Sequence, residues 1–424
     1  MRPIRRTLTE LVFTALPDLM DDHFDIAIIG AGLVGGTLAC LLDRSGFRVA
    51  LVEARAPRPP GEMGADPRVW ALTLASERIL RHAGLWPRLD PRHLGPFREM
   101  EVWDGAGSGR IHFDSADIGV SALGHIVENH HLEVALRAQL QDLPSVEWIC
   151  PAEPAALCFG DAAVQVDLSN GRRLTAGLVV GADGADSTVR RYAGIATHGQ
   201  PYVQSAVVAC VRTEESHRET AWQRFLPEGP VAFLPLADGR SAVVWSTTPV
   251  HAQALLAMDE SAFLDALREA GNGTLGSPLE TGPRAVFPLR RLHADAYVRD
   301  GLALVGDAAH TVHPLAGQGV NLGLLDAASL AQVLGEAQRT GRRVGALRVL
   351  RRYERWRKGE NLGMSAVLDG FQRLFGSPRP PVRWLRNAGL NLTDAARPVK
   401  RRIMARASGL AGDLPELARP GVAG

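Results

Sequence analysis

Two carboxylates, each ending a short apolar run beside glycines, are the residues of this chain best placed to do chemistry. Asp307 follows Leu302–Val305 and Gly306, and a loop carrying Pro314, Gly317 and Gly319 then leads into an amphipathic helix expected to begin near Asn321. A strand-end carboxylate accepts hydrogen bonds from hydroxyls, while the N–H groups that open a helix stabilise negative charge. Together they suit a polyhydroxylated chain with an electron-rich ring beyond it, which describes the ribityl and isoalloxazine parts of a flavin. Glu53 is the second carboxylate. Phe24–Ile29 reads as a buried strand, Gly30-Ala31-Gly32-Leu33-Val34-Gly35 as a turn, the stretch to Arg44 as a helix, and Arg48–Val52 as a strand ending at Glu53, 23 residues after Gly30. In this G-x-G-x-x-G arrangement Gly30 makes the tight turn, Gly32 admits a pyrophosphate and Gly35 lets helix and strand pack. Glu53 is placed to accept from a ribose. The bland alternative is a glycine-rich turn in an ordinary α/β domain.

Further candidates lie between the two motifs. Arg68, in Asp66–Leu72, could neutralise a pyrophosphate or be a surface arginine before a helix. Asn129 falls near the cap of a helix in 123–136. His130 and His131 are adjacent, so on a helix they diverge by about 100° and read as ordinary polar residues rather than a metal pair. Leu178–Gly184 is an apolar strand ending in Asp183-Gly184, another carboxylate beside a turn. His310 and His313 lie in the flavin loop, where packing is the favoured role over general base. Gln223 and Arg224 face either substrate or solvent. No residue is assigned as a base, and no metal is required.

These residues need an α/β frame, a Rossmann-like FAD-binding fold, to position them. The 424 residues, 46% apolar, can bury a large core in about two domains. Residues 203–290 change character to strands broken by Pro or Gly, a mixed or antiparallel sheet inserted before the flavin strand returns at 302. The expected organisation is therefore an unstructured extension over 1–23, with Met20 an alternative start. A discontinuous nucleotide domain follows over 24–200 and 291–340, a substrate-domain sheet over 201–290 and a helical basic region over 341–424. No window approaches the roughly 18 apolar residues of a spanning helix. Four cysteines without a CxxC pair read as small buried hydrophobes in a reducing cytoplasm. Net charge is +1, yet residues 336–406 carry 18 Lys/Arg against 5 Asp/Glu. The basic helices are either a solvated face or a docking surface for anionic membrane or an acidic partner subunit. Nucleic acid is disfavoured, because the basic residues are not interleaved with stacking aromatics.

GAGLVG with Glu53, DPRVWAL (66–72), GADGADSTVR (181–190) and GDAAHTVHPLAGQGVNLGLLD (306–326) resemble, in this order, the FAD-dependent aromatic hydroxylases of the para-hydroxybenzoate hydroxylase type. The ubiquinone-biosynthesis hydroxylases among them are the most similar. MEVWD, IHFD, LGHIVEN, GPVAFLPL, YERWRKGEN and GLAGDLPEL extend the match from residue 24 to nearly the end of the chain. MEVWD, HIVEN and IHFD resemble most the member that hydroxylates C5 of a 2-polyprenylphenol.

The resemblance implies FAD, with Asp307 on the ribityl chain, the 314–321 loop beside the pyrimidine ring, and Arg68 and Asp183 in the cofactor site. It implies NAD(P)H as reductant, O₂ as oxidant through a flavin C4a-hydroperoxide, a homo-oligomer, and contact with other subunits of ubiquinone biosynthesis. The basic cluster that benzoate hydroxylases offer a substrate carboxylate has no evident counterpart here, which favours a neutral, lipid-tailed phenol. The competing readings are a C6- or C1-hydroxylase of the same pathway, a hydroxylase of a soluble aromatic, and an idle FAD-retaining scaffold. A flavin halogenase is disfavoured by the lack of W-x-W-x-I.

Overall fold

The structure is a computed structural model and describes residues 22–56, 66–199, 201–312, 317–377 and 379–421. Nearly all of the 1–23 extension, together with Pro314 and His313, thus lies outside the described residues. The helices are α1 (Leu33–Asp43), α2 (Leu74–His82), α3 (Asn129–Gln141), α4 (Thr188–Tyr192), α5 (Pro249–Ala257), α6 (Glu260–Gly271), α7 (Gln318–Arg339), α8 (Leu347–Gly376), α9 (Pro380–Ala395) and α10 (Arg397–Ala407).

The first sheet is built from runs that are apolar on both faces, as a parallel sheet covered on two sides requires. Its central strands lie in the order Leu302–Leu304, Arg173–Gly181, Asp22–Ile29, Val49–Val52 and Val146–Ile149, all parallel. Ile26, Ala27, Ile28, Val49, Leu51, Val179, Val180 and Leu304 are completely buried. The register decides where chemistry can gather. Ile29 lies beside Gly181 on one side and Val52 on the other, and Gly181 lies beside Leu304. These strands therefore end level with one another, and the residues that follow them share one rim. Helices α1 and α7 pack together over the sheet.

The second sheet runs Pro278–Thr281, Pro201–Thr213, Ser241–Thr247, Gly229–Pro235, Thr220–Leu226, Glu99–Asp104, Arg110–Asp114, with Ala285–Arg290 also paired to the long strand. One boundary expected from the sequence needs correction. Residues 99–114, placed with the nucleotide domain, belong to this sheet, because Glu99–Asp104 pairs in parallel with Thr220–Leu226. Such a pairing joins strands far apart in sequence, so no local pattern announces it. Strand periodicity sorts the side chains. Val207, Val211, Phe233, Val243 and Trp245 point to Leu255, Phe263 and Leu267 of α5 and α6, and their neighbours point the other way, toward the first domain.

The helical region beyond 341 is present as α8 to α10. No described helix is long and apolar enough to cross a membrane. Cys40 and Cys210 are buried, as expected of small hydrophobes, whereas Cys150 is half-buried and Cys158 is exposed on the outer strand Pro154–Phe159.

Candidate active site

The level strand ends of the first sheet and the free face of the second enclose a cavity of about 830 Å³. Gly30, Gly32, Glu53, Arg68, Asp183, Gly306, Asp307, Gly317 and Gly319 all line it. Two motifs at opposite ends of the chain thus meet in one space.

The glycine turn is dictated by close packing. Gly30 has φ +105°, and a Cβ on it would lie 2.4 Å from the carbonyl oxygen of Ala182; a Cβ on Gly35 would lie 2.0 Å from that of Gly30. Gly35 therefore packs behind the turn. Gly32, at the start of α1, faces open space, and the first turn of α1 has neither a side-chain cap nor an acidic residue. That leaves an electropositive cradle of N–H groups. Glu53 is braced against it, its Oε2 accepting from the Ala31 N–H (2.9 Å) and its Oε1 from the Arg55 N–H (3.0 Å).

Asp183 spends one oxygen on the chain, since Oδ2 accepts from the N–H groups of Thr188 (2.7 Å) and Val189 (3.1 Å). Its Oδ1 is buried without a partner among the described residues. A buried acceptor left unmet is costly, and a bound hydroxyl or N–H would satisfy it. Asp307 is exposed to the cavity. Desolvation by the walls around it pushes its carboxyl above the ordinary range, with His310 opposing and Asp326 assisting.

Arg68 is clamped by Asp66, whose Oδ1 and Oδ2 each lie 2.9 Å from Nε. The hydrogen bond to Asp66 holds the guanidinium firmly protonated against the opposing effect of burial. Asn129 does not line the cavity. It is the first residue of α3 rather than its cap, and its amide is taken up by Asp66 (3.0 Å), Glu133 (2.7 Å) and the Trp70 indole N–H (2.7 Å). Its place is behind Arg68.

Asn321 is also a brace, and the helix begins earlier than the sequence suggested, at Gln318 with Gly317 preceding it. The Asn321 amide donates to the carbonyls of Ala71 and Gly317 (both 2.8 Å). Its oxygen accepts from the Thr73 N–H (3.0 Å) and the Ser76 hydroxyl (2.6 Å). The start of α7 is thereby pinned to the strand Val69–Thr73, with Gly319 and Val320 at the cavity wall. Its first turn holds no acid and no side-chain cap.

A buried network behind Asp307 is absent from the sequence-based expectations. Asp326 is fully buried and accepts from Gly306 N–H (3.1 Å), His310 Nε2 (2.5 Å), Arg357 Nε (2.8 Å) and Asn361 Nδ2 (3.1 Å). His310 is thus packed as a structural partner. The available signals were one carboxylate inside the apolar run of α7, and Arg357 with Asn361 one turn apart in α8.

The adjacent histidines also differ from expectation. Their rings lie 3.8 Å apart, His131 stacks on His93 at 3.7 Å, and ligand atoms of Glu128, His130 and His131 fall within 4.8 Å. Burial, with His130 and His93 adding to it, pushes His131 down to about 4.

On the second sheet Gln223 lines the cavity, whereas Arg224, one residue on, donates to the carbonyls of Glu269 (3.0 Å) and Ala270 (2.9 Å) on the far side. The rest of that wall includes Met100, Val208, Ala232, Leu234, Val244 and Phe287. Among the described residues no charged side chain of the second sheet lines the cavity. The arrangement is an anion cradle and a row of carboxylates on one side, and an uncharged, mostly apolar wall on the other.

Residues 23–359 match the FAD binding domain family. The chain belongs to that family, and the fold and site define an FAD-dependent monooxygenase. It is 39% identical to 3-demethoxyubiquinol 3-hydroxylase of Escherichia coli K12, over 91% of this chain and 98% of that one. It is 38% identical to the mitochondrial ubiquinone biosynthesis monooxygenase COQ6 of Danio rerio, over 92% and 90%. More narrowly, then, the protein is a member of the ubiquinone-biosynthesis hydroxylases. The crystal structure of p-nitrophenol 4-monooxygenase PnpA from Pseudomonas putida DLL-E4 superposes with a TM-score of 0.74 at 21% identity, covering 91% of this chain and 98% of that one; this likeness concerns the fold alone.

Proposed function

We propose that this enzyme hydroxylates the aromatic ring of a neutral, polyprenyl-tailed phenol on the way to ubiquinone, at C5, using NAD(P)H and O₂. The observation that carries the substrate class is the uncharged wall opposite the carboxylates. A benzoate-like substrate would leave its carboxylate unpaired there, which is expensive, whereas an isoprenoid phenol is at home.

The residues fit FAD. The open cradle at Gly32 and the uncapped start of α1 suit its pyrophosphate, with Arg68 nearby as a fixed cation. Glu53 suits the adenosine ribose, Asp307 the ribityl hydroxyls, and the uncapped start of α7 the pyrimidine edge of the ring. Asp183 offers its unmet Oδ1 to the same ligand. Bound FAD supplies hydride acceptance and oxygen activation. The chain orients the phenol against it and excludes water through Val208, Ala232, Leu234 and Val244. Gln223 and Ser246 are the polar side chains of that wall placed to hydrogen-bond a ring hydroxyl.

The C5 assignment is supported by the short matches MEVWD, IHFD and HIVEN. A second carbon, that of a demethoxyquinol, is supported by the name of the E. coli relative. Purified holoenzyme should oxidise NADH faster when an alkylphenol is added; flavin-bearing protein with no such stimulation would refute catalysis and favour a scaffold. Complementation of strains blocked at each ring position, with product analysis, should restore the C5 step; restoration of another step alone would refute C5.

A further inference from the structure

Helix α9 is built inside out, and the face it shows to solvent is the apolar one. Beside Leu390, its inward face carries polar side chains, because it covers the edge of the second sheet. Asn387 accepts from the Gly109 N–H, Asn391 from the Arg110 N–H (3.0 Å) and Asp394 from the His112 N–H (3.2 Å). These three acceptors, at helical spacing, satisfy N–H groups of the edge strand Arg110–Asp114 and of Gly109 just before it, which would otherwise be open to pairing. Arg386 completes the dock through a buried fork on Asp104, Nε to Oδ2 at 2.7 Å and Nη2 to Oδ1 at 2.9 Å.

With its polar groups committed inward, α9 presents Trp384 (72% exposed), Leu385 (60%) and Leu392 (71%) outward. Val399 and Ile403, one turn apart on α10, are exposed as well. Exposed arginines accompany them. Arg397, Arg401 and Arg402 have no carboxylate partner among the described residues, while Lys400 on the same helix turns inward to Asp394 (3.2 Å) and Asp117 (3.6 Å). Exposed tryptophan and leucine on one helix, followed by arginines without carboxylate partners on the next, have the chemistry of the membrane interface, apolar groups entering the acyl boundary and cations meeting phosphate. A second copy of the chain is disfavoured by charge, since a two-fold contact would bring the same arginines together.

We propose that the outward face of α9 and α10 docks on an anionic lipid surface, with Trp384, Leu385 and Leu392 inserting and Arg397, Arg401 and Arg402 engaging headgroup phosphates. The surface is independent of which ring carbon is oxidised and of whether the protein turns over.

The test is co-sedimentation of the FAD-loaded full chain with vesicles of equal parts phosphatidylglycerol and phosphatidylcholine, against phosphatidylcholine alone. Binding should require the anionic lipid and fall steeply with salt. Each basic residue near such a surface is worth about fivefold, so Arg397→Gln, Arg401→Gln and Arg402→Gln combined should weaken binding on the order of a hundredfold. Trp384→Ser, Leu385→Ser and Leu392→Ser combined should abolish it, with helix content and bound flavin unchanged because all three side chains are exposed. Equal partition of wild type and both variants, or no binding of wild type, overturns the proposal. So does a dimer that the apolar substitutions dissociate, which would make a second copy the occupant. Vesicle binding that emerges only on deleting residues 1–21 would make the chain's own N-terminal segment the occupant and overturn the proposal equally.

Discussion

Asp326→Asn isolates the buried network that sets the position of Gly306, the residue before Asp307. The substitution keeps the shape of the side chain and removes its charge. Arg357 is 2% exposed and has Asp326 as its carboxylate partner at 2.8 Å, so the variant leaves a cation buried without a counter-charge. Breaking such a pair on one side costs about 3–5 kcal/mol, a large share of a typical total of about 5–15 kcal/mol. Urea unfolding followed by circular dichroism, at fixed excess FAD so that ligand linkage is constant, reads the loss. Asp326→Leu combined with Arg357→Met should lose less, because it leaves no orphaned arginine. The pH dependence adds a second signature. Burial alone would raise the Asp326 carboxyl, but His310 and Arg357 outweigh it and hold it below 3.8, at about 2. A depressed folded-state value means the carboxylate's contribution is full above about pH 3.8 and is lost as pH falls toward 2, on the order of 2 kcal/mol in all. The acid limb of the stability curve should therefore flatten in Asp326→Asn. A loss below about 1 kcal/mol near neutral pH, with an unchanged acid limb, would refute the claim that this network anchors the loop.

Asp307→Ala should lose bound flavin on gel filtration while keeping the far-ultraviolet spectrum; undiminished visible absorbance would remove Asp307 from the site. Glu53→Ala should weaken FAD by roughly 1–3 kcal/mol, the cost of an unmet buried partner, and equal affinity in a titration would count against the ribose assignment. Gln223→Leu removes one cavity-facing amide, so KM for an alkylphenol should rise about 2- to 10-fold, as expected for one net hydrogen bond, with FAD content unaltered. An unchanged KM would place the phenol elsewhere.

Much of the nucleotide end of the molecule was legible in the chain itself. Apolar runs ending in glycine and a carboxylate are local patterns, and Gly30, Gly32, Gly35, Glu53, Asp183 and Asp307 could be singled out because strand, turn and helix each follow from neighbouring residues. The inserted sheet was legible as strands, but its membership was not. Residues 99–114 join it through a parallel pairing with 220–226 that no short-range period encodes. For the same reason Asn129 and Asn321 could be marked but not placed, since the groups that consume their amides come from remote segments, Asp66 and Trp70 for one, Ala71 and Thr73 for the other.

The direction of a side chain was the other thing left open. The sequence leaves Gln223 and Arg224 facing either substrate or solvent; neighbouring strand residues point to opposite faces, and the packing of α6 against one of them decides that Gln223 meets the cavity. Local rules alone would bury Trp384, Leu385 and Leu392 of α9, which the structure exposes. The outward turn of α9 follows from the edge at 109–114, where the N–H groups of Gly109, Arg110 and His112 claim Asn387, Asn391 and Asp394. Composition and spacing thus determined the cofactor cradle, where every requirement lies within a few residues. Tertiary structure decided the substrate wall, the braces and the exposed face, because those depend on which distant backbone groups must be satisfied first.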